Sequence, residues 1–129
     1  MTMSAIPPVI LVVADQPLLS LAAVDLAEQA GFMVVTAGDA QDAVAMLAKR
    51  SDIAIVLADL DRPGRARGAE LAAVIARQWP TVRVLVLTDR VDQMPGEVAT
   101  PTIIRPCADR VIVAALTALS GSGSAGSGR

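Results

Sequence analysis

The chain has 129 residues, 53% hydrophobic and 2% aromatic, with a net charge of -2, no histidine and a single cysteine, Cys107. That length suits one domain with a core of Val, Ile, Leu and Ala, and the composition excludes an internal disulfide, zinc and catalytic-triad chemistry. The acidic balance argues against nucleic acid, no apolar run reaches the roughly 18 to 20 residues of a membrane span, and the amino end lacks a signal-peptide pattern, so a cytoplasmic protein with neither partner is expected.

Residues 1–8 read as a disordered lead closed by Pro7 and Pro8. The apolar residues 9–13 predict a buried strand that ends at Ala14 and Asp15. Pro17 suits the first turn of a helix that runs to about Ala30 and stops at Gly31. A 3.6-residue period puts Leu18, Leu19, Ala22, Ala23, Leu26 and Ala30 on its inner face. Leu21 and Val24 fall outside, as scattered surface residues or as a partner surface. Residues 32–36 predict a second strand, and Asp39 can cap a helix over 40–49 with Ala43, Val44, Leu47 and Ala48 inward.

Residues 53–58 predict a third strand, buried on both faces because its apolar run has no polar alternation. The Pro63-Gly64 turn and Gly68 lead into a helix over 69–78, with Leu71, Val74, Ile75 and Gln78 along one stripe and Trp79-Pro80 ending it. Arg62, Arg65 and Arg67 around that turn form either a solvated loop or a binding patch. Residues 82–87 predict a fourth strand, 102–104 a short fifth, and 109–119 a last helix. The link between the last two strands is close to the dozen-residue minimum for a crossover and carries Pro95, Gly96 and Pro101, so its helix is expected to be shortened or absent. Residues 121–129, almost all Gly and Ser, read as a flexible tail or linker scar outside the fold. Alternating strands and helices imply a parallel sheet covered on both faces, wound right-handed.

In such a sheet the chemistry gathers at the carboxyl edge. Asp15, Asp59, Thr88 and Arg105 follow the first, third, fourth and fifth strands, so two carboxylates, a hydroxyl and a cation would share one pocket. A carboxylate such as Asp59 at the mouth of the core must be paired, bound to a cation or open to modification, because leaving it alone costs several kcal/mol.

Over residues 9–119 the chain resembles the receiver domain of bacterial two-component response regulators. Val12-Val13-Ala14-Asp15-Gln16-Pro17 is similar to the family's strand-one acidic pair, Leu57-Ala58-Asp59-Leu60-Asp61-Arg62-Pro63-Gly64 to its phosphoacceptor segment, Leu87-Thr88 to its signalling Thr or Ser, and Arg105-Pro106 to its Lys-Pro. The compact last link is similar to that of single-domain receivers of alphaproteobacteria. The resemblance implies a receiver domain over residues 9–120. Its fold would be flavodoxin-like, a three-layer sandwich around a five-stranded parallel sheet in the order 2-1-3-4-5. It implies a signalling module and not an enzyme. Asp59 would take a phosphoryl group from a phosphohistidine of a histidine kinase or phosphotransfer protein, with magnesium at Asp15, Asp59 and Asp61 and with Thr88 and Arg105 on the phosphate. A downstream protein and a second copy of the chain are the further partners it allows.

Four positions depart from the family pattern: Ala14 replaces its first acid, Arg105 its Lys, Asp89 a small residue beside Thr88, and Thr102 an aromatic switch. They predict weak magnesium binding, with Asp61 partly replacing the lost acid. They also leave an alternative, a pseudo-receiver acting as a phosphorylation-independent interaction module in which Arg105 and Arg62 neutralise the acids. Flavin or nucleotide binding is not expected, because no Gly/Ser/Thr-rich loop follows the first strand.

Overall fold

Strands without polar alternation need a cover on both faces, and that requirement organises the domain. In a computed structural model, which describes residues 8–60, 67–88, 101–104 and 108–128, the elements follow in the order β1 (Val9–Ala14), α1 (Pro17–Gln29), β2 (Met33–Ala37), α2 (Ala40–Lys49), β3 (Ile53–Asp59), α3 (Arg67–Gln78), β4 (Arg83–Thr88), β5 (Thr102–Ile104) and α4 (Asp109–Gly128). The five strands pair in parallel in the order β2-β1-β3-β4-β5, the flavodoxin-like arrangement expected.

Successive strand residues point to opposite faces, so each central strand feeds both layers. Leu11, Val13, Val56, Ala58, Val84 and Val86 pack with Ala43 and Leu47 of α2 and Leu71, Ala72 and Ile75 of α3. Ile10, Val12, Ile55, Leu57, Leu85 and Leu87 pack on the other side with Ala23, Leu26 and Ala27 of α1, Phe32, and Ile112 and Leu116 of α4.

Local signals set the ends of the helices. Asp39 accepts a hydrogen bond from the Asp42 amide at 2.8 Å and caps α2. Gly31 takes the left-handed conformation, φ 94°, that closes α1. The Gly31 amide donates to the Glu28 carbonyl and the Phe32 amide to that of Ala27, so the reversal satisfies two of the helix's last carbonyls. Pro8, the last residue of the expected lead, accepts from the Met33 amide at 2.9 Å, and residues 1–7 lie outside the described residues.

Several expected details differ. Among the described side chains the inner stripe of α1 is Ala23, Leu26, Ala27 and Ala30, while Leu18 is 80% exposed and Ala22 is exposed; the side chain of Leu19 lies outside the described ones. Val24, expected outside, is half-buried against the core, and Leu21 is 68% exposed as expected. Asp25, Glu28 and Gln29 mark the outer side of its second half, but its first half is mostly apolar, so packing decides the rotation there. Ala48 and Gln78 are exposed at the ends of α2 and α3, while Met46 and Ala72 pack inward in their helices. The helix expected to end at Leu119 continues to Gly128, through Gly and Ser residues whose propensity disfavours helix. The shortened or absent helix falls on residues 89–100, outside the described residues.

Candidate functional site

The carboxyl edge of the sheet brings together three of the polar residues picked out from the sequence. Asp15 follows the last residue of β1, Asp59 ends β3, and Thr88 ends β4. These strands are neighbours, with Ala14 in register with Asp59 and Ala58 with Val86. Asp59 therefore lies one residue beyond the Ala58–Val86 pair and Thr88 two. Thr88 is in turn level with Ile104, so β5 ends at the same edge. Asp61 and Arg105, the other expected site residues, lie outside the described residues, as do Arg62, Arg65 and Asp89.

Burial distinguishes this edge from the rest of the surface. Among the described residues the buried polar side chains are those of Asp59, 2% exposed, and Thr88, 3% exposed. Asp15 is half-buried, but its Oδ1, like that of Asp59, is shut off from solvent. Holding carboxylate oxygens in such a place costs several kcal/mol unless other groups compensate. Asp15, Asp59 and Thr88 all have interaction partners in the structure. Beside Asp15 a cleft of about 260 Å³ opens towards β2, lined by Ala14, Pro17, Ser20, Thr36, Ala37 and Gly38.

The donors at this edge are hard oxygens. Two carboxylates on adjacent strands suit magnesium, which binds through one or two acids and keeps several waters; they do not suit zinc, which prefers nitrogen and sulfur. No three of His, Cys, Asp and Glu gather to hold a metal among the described residues, and the candidate carboxylate donors described at this edge are Asp15 and Asp59. Ala14, buried in register with Asp59, fills with a methyl group the position where a third carboxylate would stand.

The structure also identifies a residue that the sequence did not. Gly68, read as part of the turn before the third helix, lies inside the first turn of α3 and is buried against β4. Its contact is with residues of other elements, Ala58 and Val86, so no local pattern marks it. No helix among the described residues is long and apolar enough to cross a membrane.

The response regulator receiver domain model matches residues 10–116 of the chain. No curated protein matches it. Among solved structures, the signal receiver domain of an HD domain-containing protein from Pseudomonas fluorescens Pf-5 is similar over 100% of this chain and 98% of that one, with a TM-score of 0.80 at 23% identity. A response regulator receiver domain protein from Clostridium thermocellum matches over 91% and 97% of the two chains, TM-score 0.78 at 20% identity. Response regulator protein TrrA from Thermotoga maritima, in complex with Mg(2+)-BeF, matches over 87% and 98%, TM-score 0.76 at 19% identity. At these identities the structural likeness speaks for the fold.

Proposed function

The chain belongs to the response regulator receiver domain family, and from that premise we propose that it accepts a phosphoryl group on Asp59 from a phosphohistidine of a partner kinase or phosphotransfer protein. The observation that carries this reading is the burial of Asp59 at the end of a central strand, between Asp15 on one side and the buried Thr88 on the other.

In the transfer a carboxylate oxygen of Asp59 attacks phosphorus. The new oxygen–phosphorus bond forms as the phosphorus–nitrogen bond to the donor imidazole breaks, and the electron pair stays on that nitrogen. A carboxylate becomes an acyl phosphate with no change of oxidation state. Asp15 and Asp59, with Asp61, would hold magnesium, whose positive charge would offset the repulsion between the acids and the incoming phosphoryl oxygens. Thr88 donates its hydroxyl hydrogen to a phosphoryl oxygen, and Arg105 pairs with the product charge. The sequence has no histidine, so the donor imidazole lies outside these 129 residues.

The test is intact-mass analysis after incubation with magnesium and acetyl phosphate, a small donor that replaces the partner. One added phosphoryl group is expected, absent in Asp59→Asn and absent when magnesium is chelated. No adduct on the folded wild-type chain, or an equal one on Asp59→Asn, overturns the reading. The pseudo-receiver reading draws on the methyl group of Ala14 beside Asp59; it expects no adduct, together with a fold indifferent to magnesium.

A further inference from the structure

The first turn of α3 rests on the two strands that carry the acceptor site, and it does so at a glycine. A methyl group at Gly68 would lie 3.1 Å from Val86 Cγ1, 3.9 Å from the Ala58 carbonyl oxygen and 4.0 Å from Ala58 Cβ. Ala58 and Val86 are cross-strand partners. Ala58 directly precedes Asp59, and Val86 stands two residues before Thr88. The helix therefore sits on the cross-strand pair just before the two residues that carry the site side chains.

We propose that Gly68 is a positioning residue for phosphoryl acceptance: the missing side chain lets α3 close onto the Ala58–Val86 pair and so sets the ends of β3 and β4 that hold Asp59 and Thr88. The proposal rests on the phosphoacceptor reading above. Its physical basis is the stiffness of the contact. Val86 is buried in the core and its β-branched side chain has little rotamer freedom, so it cannot swing aside to admit a methyl group. Relief must come from a shift of a few tenths of an ångström in α3 or in β4, and the ends of β3 and β4 are where such a shift meets the chemistry. A displacement of about 1 Å can cost a reaction about 100-fold, so a third of that is expected to cost about threefold to tenfold.

Stability is a poor reporter here, because Gly to Ala inside a helix gains roughly as much in helix propensity as a mild clash loses. The rate of acceptance is the informative quantity. It is measured by intact mass against time, with acetyl phosphate at saturating magnesium, and expressed per folded molecule. Gly68→Ala is expected to slow acceptance about threefold to tenfold, and adding Val86→Ala, which removes the opposing methyl groups, is expected to recover most of the loss. Ile75→Val, a core truncation lower in α3, controls for destabilisation and is expected to keep the wild-type rate. If Gly68→Ala does not fold, Val86→Ile, which fills the same gap from the strand side, takes its place and is expected to slow acceptance likewise.

A rate for Gly68→Ala within about twofold of wild type, or a double variant no faster than Gly68→Ala, overturns the proposal while leaving the phosphoacceptor reading intact. Ile75→Val slowing as much as Gly68→Ala also overturns it, since general loosening would then be the cause. A wild-type chain that takes no phosphoryl group overturns both.

Discussion

Replacing Ala14 with aspartate puts the geometry of the carboxyl edge to a direct test. Ala14 is 5% exposed and in register with Asp59 on the neighbouring parallel strand. Adjacent strands lie about 4.8 Å apart, so the introduced carboxylate stands roughly 5 Å from that of Asp59. At that distance, with the effective dielectric of about 20 that suits such sites, the two charges repel by about 3 kcal/mol. A domain of this size loses about 3 to 5 °C of Tm per kcal/mol, so Ala14→Asp is expected to melt roughly 10 °C below wild type when divalent ions are chelated. Saturating magnesium should recover much of that loss, because a cation between the acids turns repulsion into coordination. The Tm gained from magnesium should therefore be larger in Ala14→Asp than in wild type. Circular dichroism melts with chelator and with magnesium measure both quantities. An unchanged Tm in chelator would show that position 14 does not stand beside Asp59, and a magnesium gain no larger than wild type's would show that the edge does not gather its acids around a cation.

Leu116 is fully buried in α4 against the sheet, and Leu116→Ala is expected to lose about 2 to 5 kcal/mol in urea unfolding; a loss under about 1 kcal/mol would show that this face collapses around the cavity. Arg50 and Asp52 form an exposed two-pronged pair at 2.8 and 3.0 Å. The hydrogen bonds from Arg50 hold the Asp52 carboxyl below its ordinary value of 3.8. A depressed acid contributes stability above its unfolded-state value and loses it as pH falls through the folded one. The small Tm difference between wild type and Asp52→Asn should thus be present near neutrality and disappear in strong acid. High salt should remove it as well, because both side chains face solvent; a difference that survives either condition would refute the ionic origin.

The parts of this protein that were legible in its sequence are those fixed by short-range chemistry. The apolar runs before Asp15, Asp59 and Thr88 could be read as doubly covered strands because alternation was missing, and their polar ends then marked the carboxyl edge. Asp39 and Gly31 announced helix ends through a side-chain acceptor and a left-handed backbone, properties that belong to single residues. The rotation of α1 was legible only in its second half, where Ala23, Leu26 and Ala30 pack inward as expected; in the mostly apolar first half only the shape of the sheet chooses which side turns in. The extension of α4 through Gly and Ser was not legible, since propensity argues against it. Gly68 was hidden for a different reason: the atoms that require a glycine there come from Val86, far along the chain, and from Ala58 on another strand.

Ala14 and Gly68 bear on the same site from opposite directions, and their effects should separate. The methyl group of Ala14 stands where another acid would raise the charge of the pocket, so the resting site carries less repulsion and needs less metal to hold its ends together. Charge at position 14 would set the repulsion at this edge and what a cation would gain by binding there. Bulk at position 68 acts through packing, which a cation cannot relieve. Magnesium should therefore mask a change at Ala14 and leave a change at Gly68 exposed. Separate effects at the two positions would mean that the site is held by its core, Ala58 and Val86 included, rather than assembled by a metal. On the phosphoacceptor reading, that core is what would keep Asp59 in place with only two described carboxylates at the edge.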